Sequence, residues 1–188
     1  MDTHIPTGVQ QAAGRLMPRQ PVPALRVPTL RGPAWDLAER RPERFTLLVA
    51  YRGLHCAVCQ TYLRELERLL PEFTSRGIEV FVVSSDTRER AELVQEKWGL
   101  PSLDIGYALP IPVARNWGLY VSSSRGRATN GVEEPAVFSE PGVFVIRPDG
   151  TLYWASYQTM PFARPHFGEM LQAFDMVHKI NYPARGEL

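Results

Sequence analysis

Net charge of either sign is almost missing from this chain of 188 residues: 21 lysines and arginines face 20 aspartates and glutamates, leaving a formal charge of +1. That balance gives no electrostatic case for a nucleic-acid partner or an acidic membrane surface. No apolar stretch reaches the length needed to cross a bilayer. Residues 1–19 lack the apolar core of a secretory signal and carry Asp2, Gln10, Gln11 and Arg15 instead, so a cytoplasmic location is expected. A zinc site needs about four ligands, and the histidines that would complete one (His4, His55, His166 and His178) are scattered. No glycine-rich loop of the phosphate-cradling kind is present. No metal, flavin or nucleotide cofactor is therefore expected. Internal repeats and a second domain are absent from the pattern as well.

Cysteine is scarce, and its two copies sit together. Cys56 and Cys59 fall in Tyr51-Arg52-Gly53-Leu54-His55-Cys56-Ala57-Val58-Cys59-Gln60, at the seam between an apolar run and a helical one. Cys-x-x-Cys at a helix start brings two sulfurs within bonding reach, and the helix N-terminus favours a thiolate. In a reducing compartment such a pair reads as catalytic or redox-sensing rather than as a staple. The bland alternative is two buried cysteines acting as small hydrophobes.

The rest of the chain reads as one α/β unit with a central mixed sheet. Residues 1–19 are expected to form a flexible arm and residues 20–188 a single domain. Seventeen prolines, many near the ends and within 101–112, point to tightly routed connections. From Gln20 to Trp35, Val22, Leu25, Val27 and Leu30 suit short extended pieces, with Arg31-Gly32 as a turn and Trp35-Asp36-Leu37 as a return strand. Phe45 to Tyr51 is a continuous apolar run of strand length, as expected of a buried central strand. Tyr62, Leu63, Leu66, Leu69, Leu70 and Phe73 then share a helical face that ends at Gly77, with Pro71 inside it. Ile78 to Val83 is a second buried strand. Asp86, with Glu89 three residues on, is expected to cap a helix ending near Trp98-Gly99. A short strand is expected within Ser102 to Tyr107, and a helical turn or two within Pro112 to Trp117. Residues 121–135 read as a polar surface loop. Gly142 to Arg147 and Thr151 to Tyr157 form a hairpin around Pro148-Asp149-Gly150, and a last helix runs from Phe167 to Lys179.

This order, with Cys-x-x-Cys at the first strand-to-helix junction, resembles the thioredoxin fold. More narrowly, it resembles the peroxiredoxin-like branch named for alkyl hydroperoxide reductase and thiol-specific antioxidant proteins. The carrying residues are the proline-rich segment Pro21 to Pro33, Tyr51 to Cys59, Val83-Ser84-Ser85-Asp86, and Pro141 to Ile146 with Pro148-Asp149-Gly150. The resemblance implies a thioredoxin-like fold with an N-terminal extension of peroxiredoxin type. Peroxiredoxins carry a hydroxyl residue three positions before the peroxidatic cysteine and a proline seven before. Counting back from Cys59 gives Cys56 and Arg52, and counting from Cys56 gives Gly53 and Val49, so that hydroxyl is missing in either register. The position of the arginine that supports a peroxiredoxin thiolate holds Pro141. By resemblance to thioredoxins, Pro141 is instead the place for a cis-proline facing the pair.

The resemblance implies cysteine-based redox chemistry: thiol–disulfide exchange, or reduction of a hydroperoxide with Cys56–Cys59 closing as a disulfide. Cys56, nearest the strand end, is the expected attacking sulfur, and Cys59 the resolving one. His55 has two readings, a cation favouring the thiolate or a ring packed where thioredoxins carry tryptophan. Arg52 is either a substitute for the missing arginine or a solvated strand-end residue. Trp98, Trp117 and Trp154 are expected in core and helix-end packing. The string Met160 to His166 reads as a connecting loop, with a path along the active site as its alternative. Implied partners are an external dithiol reductant (thioredoxin-like or glutathione), a hydroperoxide or disulfide substrate, and a second copy in a homodimer. The competing reading is a non-enzymatic redox sensor or adaptor.

Overall fold

The computed structural model describes residues 16–188. The proline-rich segment supplies a two-residue antiparallel pair, β1 (Arg26–Val27) and β2 (Trp35–Asp36), followed by a 3-10 turn, Leu37–Glu39. Strand β3 (Phe45–Ala50) leads into helix α1 (Ala57–Ser75), then β4 (Ile78–Val83), α2 (Arg88–Trp98), β5 (Ile105–Gly106) and the short α3 (Ile111–Asn116). A small antiparallel pair, β6 (Val121–Ser123) and β7 (Val137–Ser139), precedes β8 (Gly142–Ile146), β9 (Leu152–Tyr157) and the final helix α4 (Phe167–Ile180). The five-stranded sheet has the order β5-β4-β3-β8-β9. Strand β3 lies at its centre, parallel to β4 and antiparallel to β8.

All six residues of β3 are buried, which is why this stretch is apolar without alternation. Its side chains still point alternately to the two faces. Phe45, Leu47 and Val49 pack with Leu63, Leu66 and Phe73 of α1, Val94 of α2 and Phe174 of α4. Leu48 and Ala50 face the other layer, with Trp35, Phe81, Trp117 and Phe144. The sheet is thereby covered on both sides, and the carboxyl end of its central strand is aimed at the start of α1. In α1, Cys59, Tyr62, Leu63, Leu66 and Phe73 are buried, the spacing of a helix with one apolar face. Gly77, at φ +68°, takes the left-handed turn beyond the helix.

Several expectations change. Of the expected arm, residues 1–15 lie outside the described residues. At its end, the Arg19 amide donates to the Leu152 carbonyl at 2.8 Å and its Nε to the Ala184 carbonyl at 3.0 Å, so that end is bonded rather than loose. Helix α2 is capped by Thr87, whose Oγ1 accepts from the Arg90 amide, because the Asp86 carboxylate is turned inward to other donors. The polar stretch 121–135 is not a plain loop: its first residues form β6, and an Arg127–Glu133 bridge closes the excursion further out. Trp98 and Trp117 are buried as expected, but Trp154 on edge strand β9 is 38% exposed. No helix among the described residues is long and apolar enough to cross a membrane.

The layer under β1 and β2 rests on one aromatic stack. Phe81 is fully buried, parallel to Trp35 at 4.0 Å between ring centroids, and a side chain at Gly106 would strike its ring. Phe81→Ala should therefore lower stability by about 3–5 kcal/mol in chemical denaturation. A loss below about 1 kcal/mol would mean that the site collapses and that the stack does not hold this layer.

Candidate active site

The segment from Tyr51 to Cys56 carries the chain from β3 into α1. The Tyr51 amide still bonds across to the Val83 carbonyl, and the Cys56 amide closes a turn onto the Gly53 carbonyl at 3.0 Å. Gly53 has φ +127°, and a β-carbon there would lie 2.6 Å from an Asp86 carboxylate oxygen. Only glycine tolerates both that backbone and that approach. The carboxylate, 1% exposed, accepts the Leu54 amide at 2.7 Å and Arg90 Nε at 2.7 Å. Burial pushes Asp86 above the ordinary carboxylate range, while the bonds from Leu54 and Arg90 pull the other way. On the opposite side of the same residue, the Leu54 carbonyl accepts from Asn130 Nδ2 at 3.2 Å. Both polar groups of that backbone unit are thus clamped by long-range partners.

The clamp leaves Cys56 in extended backbone as the N-cap of α1. Its Sγ accepts from the Cys59 amide at 3.2 Å, the role an oxygen plays in an ordinary cap. The two sulfurs are at disulfide distance, with Cα atoms 5.2 Å apart. Cys56 is 3% exposed and Cys59 is fully buried. Both stand at the first turn of α1, where unpaired amides and the helix dipole favour negative charge.

A cation completes the site from a distant segment. Arg164 lies between β9 and α4, and its Nη2 is 3.2 Å from Cys59 Sγ and 3.6 Å from Cys56 Sγ. Its Nε donates to the Pro161 carbonyl at 2.8 Å, and the guanidinium sits over the Tyr62 ring at 5.0 Å. The Tyr62 hydroxyl in turn donates to the Pro165 carbonyl at 2.8 Å, and its ring stacks on Phe167. Burial pulls Arg164 down to about 10, which leaves it charged at neutral pH. The string Met160 to His166 therefore runs along the site. Its sequence signal was weak: one arginine among prolines and apolar residues, 105 positions from the cysteine it touches.

The residues expected to support the thiolate have other partners. Arg52 pairs with Glu140 at 3.2 Å and Glu134 at 3.7 Å and lies over the Phe138 ring, so it ties the β6–β7 excursion to the active-site loop. His55 is 2% exposed and packs edge-on against Phe138 at 4.5 Å. Burial first, and the Arg52 charge second, lower its pKa to about 4, so it is a neutral ring rather than a cation near pH 7. No cis peptide bond occurs among the described residues, so the Glu140–Pro141 bond is trans. The Pro141 carbonyl accepts from the Gln158 amide at 3.1 Å.

Chemically, the arrangement offers two sulfurs that can join or part, an amide-rich helix start and one charged guanidinium. The model of the AhpC/TSA family matches residues 18–155. No curated protein sequence matches the chain. Among solved structures, the peroxidoxin BcpB from Mycobacterium tuberculosis superposes with a TM-score of 0.67 at 16% identity, over 87% of this chain and 99% of that one. A cysteine-to-serine mutant of peroxiredoxin 6 from Arenicola marina gives 0.68 at 19%, over 89% and 76%. AhpC from Mycobacterium tuberculosis gives 0.68 at 14%, over 88% and 99%. At these identities the likeness carries the fold.

The neutral, buried His55 makes acid stability a readout of the site. Its folded pKa lies below the unfolded value, so between about pH 6.5 and about pH 4 the unfolded chain binds more protons and stability falls as pH falls. His55→Phe should remove up to about 3 kcal/mol of that acid sensitivity, measured as denaturation midpoints at pH 7 and pH 4. Unchanged pH dependence in the variant would show that this ring takes up its proton as readily in the folded chain as in the unfolded one.

Proposed function

The chain belongs to the AhpC/TSA family, and from that premise we propose that it is a thiol peroxidase whose Cys56 attacks a hydroperoxide and whose Cys59 resolves the product. The observation that carries this reading is the placement of both sulfurs, at disulfide distance, at the first turn of α1. Family membership makes the protein a cysteine-based oxidoreductase. The assignment of roles within the pair rests on position: Cys56 is the less buried sulfur and caps the helix, while Cys59 lies behind it.

In the first step the Cys56 thiolate attacks the terminal peroxide oxygen. The O–O bond breaks, sulfur is oxidised to the sulfenic acid, and the alkoxide or hydroxide leaves and is protonated to alcohol or water. The Cys59 thiol then displaces hydroxyl from that sulfur, forming the disulfide and releasing water. An external dithiol attacks the disulfide and is itself oxidised, returning two thiols to the protein. Thiol–disulfide exchange uses the same last step in reverse, and the family favours the peroxide as oxidant.

The test follows the mass of reduced protein exposed to hydrogen peroxide. Wild type should lose two hydrogens and turn over many times when a dithiol is supplied. Cys59→Ser should hold a sulfenic acid that a dione reagent traps, and Cys56→Ser should react no faster than a free thiol. A trapped sulfenic acid in Cys56→Ser alone would exchange the two roles. If wild type reacts no faster than a free thiol, the peroxidase reading fails. One stoichiometric oxidation without turnover would make the protein a sensor.

A further inference from the structure

The hydroxyl and the arginine that peroxiredoxin-like proteins keep near the thiolate are both missing from their usual sequence positions: with Cys56 as the attacking sulfur, Gly53 and Pro141 stand there. We propose that Arg164, delivered by the segment between β9 and α4, is the catalytic cation of this site: it holds the attacking thiolate and offers its second amino group to the peroxide. This rests on the peroxidase reading for the peroxide and on geometry alone for the thiolate. The segment lies beyond residues 18–155, where the family resemblance ends. The role is thus filled by a residue outside the matched region.

Three observations carry the assignment. Nη2 reaches both sulfurs, at 3.2 and 3.6 Å, so whichever sulfur ionises does so beside a positive charge. The guanidinium is held in place from two sides, by the Pro161 carbonyl and the Tyr62 ring, and Tyr62 is itself bonded to the Pro165 carbonyl. Nη1 is buried and makes no hydrogen bond among the described residues, which leaves one donor free beside the sulfurs. The other charged groups near this centre are already engaged: Arg52 with Glu134 and Glu140, and Arg90 with Asp86. His55 is neutral near pH 7, and burial raises Tyr62, which keeps its phenol protonated. Arg164 is left as the cation in contact with the reacting atoms.

In the peroxide step the electron pair of the thiolate passes to the attacked oxygen as the O–O bond breaks. The leaving oxygen takes up the negative charge that sulfur gives away. A guanidinium that spans both atoms opposes neither end of that transfer, since its Nη2 holds the charge at the start and Nη1 receives it at the end. No oxidant beyond the hydroperoxide and no reductant beyond the dithiol is involved.

The test reads the thiolate without needing peroxidase activity. Reduced wild type, Arg164→Met and Arg164→Lys are alkylated with iodoacetamide across pH, with the modified cysteine identified by peptide mass and folding checked by circular dichroism. Loss of an adjacent opposite charge is worth about one pKa unit or more, so Arg164→Met should alkylate roughly 10-fold more slowly on the acid side, with its profile moved upward. Arg164→Lys, which keeps the charge, should restore much of the difference and guards against a folding artefact in the methionine variant. An unmoved profile in a folded Arg164→Met protein overturns the thiolate role, whatever the peroxidase assay shows. The second role is read with hydrogen peroxide at a pH where both proteins are fully thiolate. Arg164→Met should remain slower there, and equal rates would remove Arg164 from the peroxide step.

Discussion

The hydrogen bond from the Leu54 amide to the buried Asp86 carboxylate sets where α1 begins, and through it the position of both sulfurs. A buried carboxylate is costly unless it is paired and bonded. Here the Leu54 amide and Arg90 offset part of that cost, while the close approach to Gly53, where any side chain would collide, helps keep water from the carboxylate. Arg90 extends the same connection outward, since its Nη1 donates to the Glu133 carbonyl while Asn130 holds the Leu54 carbonyl. Strand end, second helix and excursion therefore converge on one backbone unit, and the first turn of α1 is presented in a single geometry.

Two arginines, both partly buried, illustrate how partners, rather than residue type, decide an electrostatic role. Arg52 stands beside the motif in sequence, yet its charge is matched by Glu134 and Glu140 and its face by Phe138. Arg164 is remote in sequence, and its contacts are a carbonyl, an aromatic ring and two sulfurs. Charges act strongly over short distances where water is excluded. A cation without an adjacent carboxylate is the one that biases a neighbouring thiol, whereas a neutralised one becomes a structural tie.

Much of the fold was legible because its signals are local. The apolar run of β3, the single apolar face of α1, the turn at Pro148-Asp149-Gly150 and the face of α4 each follow from the periodicity of a short stretch. The misses share a cause. Asp86 reads as a helix cap from its spacing to Glu89, but an amide 32 residues earlier competes for the carboxylate, and Thr87 takes over the cap. The polar stretch after α3 reads as a loop because its strand partner, Val137–Ser139, lies beyond it and is held by Phe138 packing under Arg52 and His55.

The sequence by itself determined the redox character and the placement of the pair: two cysteines one turn apart, at a strand-to-helix seam, put two sulfurs together wherever that helix forms. It also determined the family, through a match over residues 18–155, and the succession of strands and helices along the chain. Tertiary structure alone decided the charge state and surroundings of the sulfurs. Burial made His55 a neutral ring, carboxylates from two later segments occupied Arg52, and the turn before α4 brought Arg164 to the thiols. Ionisation depends on desolvation and on charges a few ångströms away, and neither quantity is written in the spacing of residues along a chain.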